Sequence, residues 1–149
     1  MILIGTEAFD LAIAANGLVA AAGVGALHLA KVDLFQTNIA VDRNTPLGTL
    51  VAAIATFAGY AQGVVAWNAP SRADTGEIEV VGILPEWRPS DSVTPNSIYG
   101  LYMTNAVGGA LLAVGLFDNP PLPMNSALDA IIATLRWKPK TGWAEVTVS

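Results

Sequence analysis

The sequence contains no cysteine and a single histidine, and only 13% of its 149 residues are charged. The absence of cysteine excludes disulfide bonds, thiolate metal sites and cysteine nucleophiles, and it fits a reducing compartment. An ordinary soluble domain carries about 25% charged residues. Because 53% of the residues are hydrophobic, a lone monomer would expose much apolar surface. We therefore expect burial against copies of the same chain or within a larger assembly.

Basic residues are scarce as well. The chain has seven Lys and Arg and twelve Asp and Glu, which gives a net charge of −5. Phosphate binding requires a basic face, so we expect no nucleic-acid partner. The cluster of Arg136, Lys138 and Lys140 has alternate spacing. This spacing predicts one solvated face of a strand.

One uncharged run covers residues 11–30 and is long enough to cross a bilayer. Ala and Gly dominate it, Asn16 and His28 interrupt it, and no basic cluster precedes it. We therefore predict neither a membrane span nor a signal peptide. The pattern favours a helical segment over residues 6–22, with Thr6 as N-cap, followed by a strand over residues 26–36.

Much of the remaining chain alternates with a period of two residues, which is typical of strands. Strands are predicted over 57–69, 77–87, 97–104, 110–118, 130–138 and 143–149, and a short helix or turn follows Pro46. An alternative makes residues 125–135 a helix capped by Asn125 or Ser126. The predicted fold is a single mainly β domain over residues 1–149, a β-sandwich or jelly-roll-like fold with one or two short helices near the N-terminus.

The stretch SIYGLYMTNAVGGALLAVGLFD, residues 97–118, has no charge before Asp118. It could form a membrane helix, a buried helix or two paired strands. Asn105, Gly108 and Gly109 suit positions with positive φ, so we predict a β-hairpin that reverses at residues 105–109. The prolines that follow, at 120, 121 and 123, are expected to end the ladder.

The chain offers no predicted catalytic, cofactor-binding or metal-binding residue. A Ser-His-Asp set could only use His28, and no G-x-S-x-G elbow, calcium-loop pattern or nucleotide-binding glycine spacing is present. Glu77 and Glu79 could hold a cation, but a wet outer strand face is the favoured interpretation. Asp42, Asp74, Asp91 and Asp118 fall at predicted turns, where aspartate caps backbone groups. Four tryptophans could stack against sugars, although core and interface anchoring is favoured: Trp67, Trp87, Trp137 and Trp143.

Three short motifs resemble those of small virion proteins of tailed bacteriophages. A T-F-x-G-Y strand corresponds to Thr56, Phe57, Gly59 and Tyr60, a Y-G-Y-Y-type hairpin to Tyr99, Gly100 and Tyr102, and an F-D-x-P exit to Phe117, Asp118 and Pro120. Such proteins are structural, so the resemblance implies a virion protein without a catalytic site.

We therefore expect a non-enzymatic capsid cement or decoration protein that acts as a symmetric homo-oligomer, such as a trimer. Its expected partners are its own copies and the major capsid protein or other virion proteins, with no membrane partner and no cofactor. Its expected location is the virion, assembled in the host cytoplasm. Two alternatives stay open: a tail, neck or fibre-associated host-binding protein, and a carbohydrate-binding module.

Overall fold

The computed structural model describes residues 1, 3–8, 30–69, 71–72, 74–90, 96–105, 109–138, 142–143 and 147–148. Within these residues, one helix, α1, covers Leu47–Ala52, and short strands account for most of the regular structure. The strands are β1 Ile4–Gly5, β2 Lys31–Phe35, β3 Gly63–Val64, β4 Ala66–Trp67, β5 Ser71–Arg72, β6 Ile78–Ile83, β7 Asn96–Ile98, β8 Gly100–Thr104, β9 Leu111–Leu116, β10 Leu122–Met124, β11 Ala133–Lys138, β12 Gly142–Trp143 and β13 Thr147–Val148.

Sheet 1 has the strand order β1-β9-β8-β2-β3, and every neighbouring pair is antiparallel. Its centre is the β8–β9 hairpin, which confirms the prediction for residues 97–118. Gly109 has φ +66°, so the expected positive φ in the reversal is confirmed there. The rival interpretation, one continuous membrane helix over residues 98–116, is wrong because both halves of the segment form strands.

Sheet 2 is built around the pair β6–β11. The other edge of β6 pairs with β4 and β5, and β11 pairs with β12 and β13. The sheet is therefore effectively four strands wide, with a broken strand along each edge. A separate two-stranded ladder joins β7 to β10.

The two sheets pack against one shared hydrophobic core. Sheet 1 contributes Val32, Leu34, Leu101 and Met103, sheet 2 contributes Val80 and Leu135, and the link between β3 and β4 contributes Val65, all at most 4% exposed. The opposite face of sheet 1 is also covered, because Phe35, Tyr102 and Val114 pack with Leu50 and Ala53 from the α1 region. The fold is thus mainly β and sandwich-like, as predicted, with one short helix.

Three sequence-based predictions need correction. Residues 57–62 were expected to begin a strand, but residues 57–60 form a turn with Gly59 at φ +84°, and β3 begins only at Gly63. The alternative helix after Asn125 is wrong, since β11 starts at Ala133 and residues 126–128 form a turn. The prolines do end β9, yet Pro123 lies inside β10, where it pairs with Ser97.

The strand prediction for residues 26–36 is confirmed over Lys31–Phe35, and that for residues 77–87 over Ile78–Ile83. Glu7 and Ala8 have helical backbone, while the remainder of the predicted helix over residues 6–22, His28 and Asp91 lie outside the described residues. No helix within the described residues is long and apolar enough to cross a membrane. Both terminal strands extend sheets of their own chain, since β1 pairs with β9 and β13 with β11.

Candidate functional site

A buried polar cluster lies at the open edge of β2, where β3 has ended. Asp33 is 3% exposed and its carboxyl group accepts hydrogen bonds from the Tyr60 hydroxyl, at 2.6 Å, and from the Gln62 side-chain amide. The Tyr60 hydroxyl in turn accepts a hydrogen bond from the backbone N–H of Leu34, at 3.0 Å. The Tyr60 hydroxyl therefore binds the Leu34 N–H in place of a neighbouring strand. The buried Asp33 carboxyl group, which would be costly to bury without partners, has its hydrogen bonds satisfied.

The hydrogen bonds of Asp33, Tyr60 and Gln62 have a structural role. Burial raises the pKa of the Tyr60 hydroxyl far above its usual value of about 10, and the hydrogen bond to Asp33 adds to the shift. Burial also raises the pKa of Tyr102 to about 12, with a further contribution from the charge of Asp33. Both phenols therefore stay protonated at neutral pH, and Tyr60 acts as a hydrogen-bond donor that anchors the 57–62 turn.

Phe57, from the T-F-x-G-Y motif, packs against this cluster, and Gly100, from the Y-G-Y-Y-type motif, lies within sheet 1. Phe57 is 2% exposed and its ring meets that of Tyr60 edge-on, with centroids 5.3 Å apart. Gly100 leaves no room for a side chain, because a Cβ there would lie 2.1 Å from the carbonyl oxygen of Gly115 and 2.7 Å from the Phe35 ring. These motif residues therefore fix the turn and the hairpin of sheet 1.

Two of the four aspartates that were predicted at turns have defined contacts, Asp42 and Asp118. Asp42 Oδ1 accepts the N–H of Asn44 at 2.7 Å, as predicted for a capped turn. Asp118 lies beyond the end of β9 and binds the N-terminal ammonium group of Met1 at 2.7 Å. Within the described residues, no group of three or more His, Asp or Glu side chains is placed to hold a metal ion.

Glu77 and Glu79 differ from the predicted wet pair of carboxylates. Glu79 pairs with Arg136 at 3.0 Å and Glu77 with Lys138 at 3.0 Å, and the Glu79 carboxylate side chain is only 11% exposed. The wet-face interpretation was wrong for Glu79 because it treated β6 and β11 separately, whereas the Arg136 side chain is 42% exposed, as expected for a solvated face. Cross-strand pairing places the acidic residues of β6 beside the basic residues of β11 and forms a charge ladder.

Three of the four tryptophans have described side chains, and these lie in the core or at its margin, while the side chain of Trp143 lies outside the described part of the chain. Trp87 is 3% exposed and its indole N–H donates to the carbonyl oxygen of Ala61 at 2.9 Å, so its ring is not available to stack on a sugar. Trp67 and Trp137 are partly buried and pack against the same core. The predicted anchoring role in the core is confirmed for Trp87.

Comparison with protein families, with curated proteins and with solved structures finds no match to this chain.

The surface that remains to be explained is the outer face of sheet 2. Register pairs Ile83 with Ala66 on one side and with Thr134 on the other, and Val81 with Arg136. Residues paired across a ladder share a face, and alternate residues along a strand share it too. Among the residues whose side chains are described, the outer face of sheet 2 therefore comprises Ala66, Ser71, Glu79, Val81, Ile83, Thr134, Arg136 and Lys138. Glu77 and Ile132 continue the same alternation just outside β6 and β11.

This face is apolar at one end and charged at the other. Ile83 is 44% exposed and Ile132 is 43% exposed, while the charge ladder occupies the opposite end of the same strands. Single exposed apolar residues are common, but a group of them on one rigid sheet marks a surface suited to protein contact. The sequence analysis predicted the basic part of this face, at Arg136 and Lys138, but missed its apolar end, although Ile132 continues the same alternation.

Proposed function

We propose that the protein is a non-enzymatic structural protein of a bacteriophage virion, namely a capsid cement or decoration protein that stabilises the shell through oligomeric contacts. The observation that carries the proposal is the outer face of sheet 2, with Ile83 and Ile132 presented on a rigid sheet. The low charge content of 13% supports it, because such a chain has little polar surface with which to remain separate. The phage-like motifs support the choice of a virion.

The mechanism of such a protein is mechanical. Sheet 1 is covered on both faces, and the shared core ties it to sheet 2 through fully buried side chains. A close-packed interior deforms little under load. Two packed sheets of this kind, bound across neighbouring coat subunits, would resist shell expansion because expansion would expose the apolar area that they bury.

The proposal is tested by adding the purified protein to phage shells that lack their decoration. We expect the protein to co-sediment with the shells, to raise their temperature of disruption, and to give density on the outside of the capsid by electron microscopy. Ile83→Lys is expected to reduce this protection. Val51→Lys is the matched control, because Val51 is 51% exposed on α1, away from sheet 2.

Absence of binding to shells would reject the capsid role. Density on a tail, neck or fibre would move the protein to the host-binding alternative. Glycan binding that is lost in Trp67→Ala or Trp137→Ala would instead support a carbohydrate-binding module, since these two rings lie at the margin of the core.

A further inference from the structure

The outer face of sheet 2 has an internal order that bears on its partner. The acidic residues Glu77 and Glu79 lie on the β6 side, and the basic residues Arg136 and Lys138 lie on β11. The apolar residues Ile83 and Ile132 lie at the other end of the same two strands. Acidic and basic residues therefore lie on different strands, side by side. Charged and apolar residues lie at opposite ends of those strands.

We propose that this face binds the same face of a second copy of the chain, about a two-fold axis parallel to the strands. Such an axis exchanges left and right but preserves position along the strand. It lays β6 of one copy over β11 of the other, so that Glu77, the more exposed of the two glutamates, faces the basic residues of the partner's β11. It also keeps the apolar ends together, which gives the self-complementary patch that an isologous dimer requires.

The charge of the chain favours a second copy on this face over contact elsewhere. Among the described residues, the four charged side chains of the face, two acidic and two basic, sum to zero. The net charge of −5 therefore resides in the other residues of the chain. Two copies that meet through those other residues bring like charge together, whereas two copies that meet through this face do not.

The size of the face sets the expected strength of the contact. Four strands about 4.8 Å apart and about six residues long, at roughly 3.3 Å per residue, cover about 400 Å². A stable standard-size interface buries about 800 Å² on each partner. We therefore expect a weak dimer, which becomes populated when copies are concentrated on a shell.

This inference deepens the proposed function by naming its self-contact, and it is tested separately in solution. Sedimentation velocity of the purified chain from about 10 μM to 1 mM should show a monomer–dimer equilibrium. Ile83→Lys and Ile132→Lys should each weaken dimerisation at least tenfold, while the control Val51→Lys should dimerise like the wild type. Circular dichroism establishes that each variant is folded.

Charge exchange provides the second, independent measurement. Glu77→Lys gives the face a net charge of +2 and Lys138→Glu gives it −2, so each variant alone should be monomeric at concentrations where the wild type dimerises. An equimolar mixture of the two should restore the dimer. Raising the salt concentration should weaken the mixed dimer, because its faces attract through charge.

Each outcome decides the matter. A wild-type chain that stays monomeric to 1 mM, isoleucine variants that dimerise normally, or a mixture that fails to associate would overturn the proposal. If the wild type is monomeric yet binds shells in a manner lost in Ile83→Lys, the face binds a coat subunit, and only this inference fails. If the dimer forms as described but no shell is bound, the inference stands and the capsid role fails.

Discussion

The two sheets of this protein differ in how many of their faces are covered. Every residue of β8 in sheet 1 is buried, since one face meets the shared core and the other meets the α1 region. In β11 of sheet 2, buried Ala133 and Leu135 alternate with partly exposed Thr134 and Arg136. A sheet covered on both faces carries continuous apolar strands, and one covered on a single face carries alternating strands. Sheet 1 is therefore the stabilising layer, and sheet 2 presents a surface.

The largest expected effect comes from truncating one apolar residue in each sheet. Leu101→Ala removes a fully buried side chain of β8 and should lower the free energy of unfolding by about 2–5 kcal/mol, because a cavity remains. Ile83→Ala, on the outer face of sheet 2, should cost less than about 1 kcal/mol. Urea denaturation of both variants measures the difference, and equal losses would contradict the assignment of sheet 1 as the stabilising layer.

A second test uses a glycine in each sheet. Gly100→Ala places a Cβ against the backbone carbonyl of Gly115, whereas Gly82→Ala meets the side chains of Val65 and Trp67 at 2.7 and 2.8 Å. Side chains move more readily than a paired strand, so Gly100→Ala should cost about 3 kcal/mol and Gly82→Ala about 1–2 kcal/mol. Thermal unfolding ranks the two.

Gly48→Ala is the control for the glycine pair. Nothing lies within 4 Å of the added Cβ in α1, and alanine favours a helix over glycine. This variant should be neutral or slightly stabilising. A reversed order of Gly100→Ala and Gly82→Ala would show that the β8–β9 contact tolerates expansion.

The third prediction concerns the polar edge of sheet 1. Tyr60→Phe removes the hydrogen bonds to Asp33 and from Leu34, and it should cost about 1–3 kcal/mol because buried polar groups lose their partner. Ser71→Ala, at an exposed position of sheet 2, should change stability by less than about 0.5 kcal/mol. Chemical denaturation compares the two, and a Tyr60→Phe variant as stable as the wild type would mean that water replaces the hydroxyl.

The smallest expected effect is a loss of stability at alkaline pH. Burial raises the pKa of Tyr60 and raises that of Tyr102 to about 12, so below about pH 10 both tyrosines are protonated in the folded and unfolded states alike. Above pH 10 the unfolded state loses these protons first, and stability falls as the pH rises. Each tyrosine lowers the free energy of unfolding by at most about 1.4 kcal/mol per pH unit.

Denaturation midpoints at pH 9, 10 and 11 measure this fall. Tyr60→Phe and Tyr102→Phe should each make it shallower, since each removes one titrating group from sheet 1. An unchanged slope in both variants would place the alkaline sensitivity outside this sheet.

The local patterns of the sequence predicted much of sheet 1. The uncharged stretch over residues 97–118 could be assigned as a hairpin because its glycines suit a reversal, and Gly109 has the positive φ that this requires. The turn at 57–60 was missed because Phe57, Gly59 and Ala61 mimic the alternation of a strand. Its real determinant is Tyr60, whose hydroxyl binds Leu34 and Asp33 about 26 residues away. No local pattern contains that contact.

By itself, the sequence determined the class of the fold and the shortage of charge, because strand periodicity and composition are properties of neighbouring residues. Only the tertiary structure decided which faces are covered. Alternation in β11 says that one side is apolar and the other polar, but not that Glu79 and Arg136 meet across strands 57 residues apart. It also does not say that Ile83 and Ile132 lie at one end of the same face. Register between distant strands sets those contacts, and register depends on the packing of the whole core.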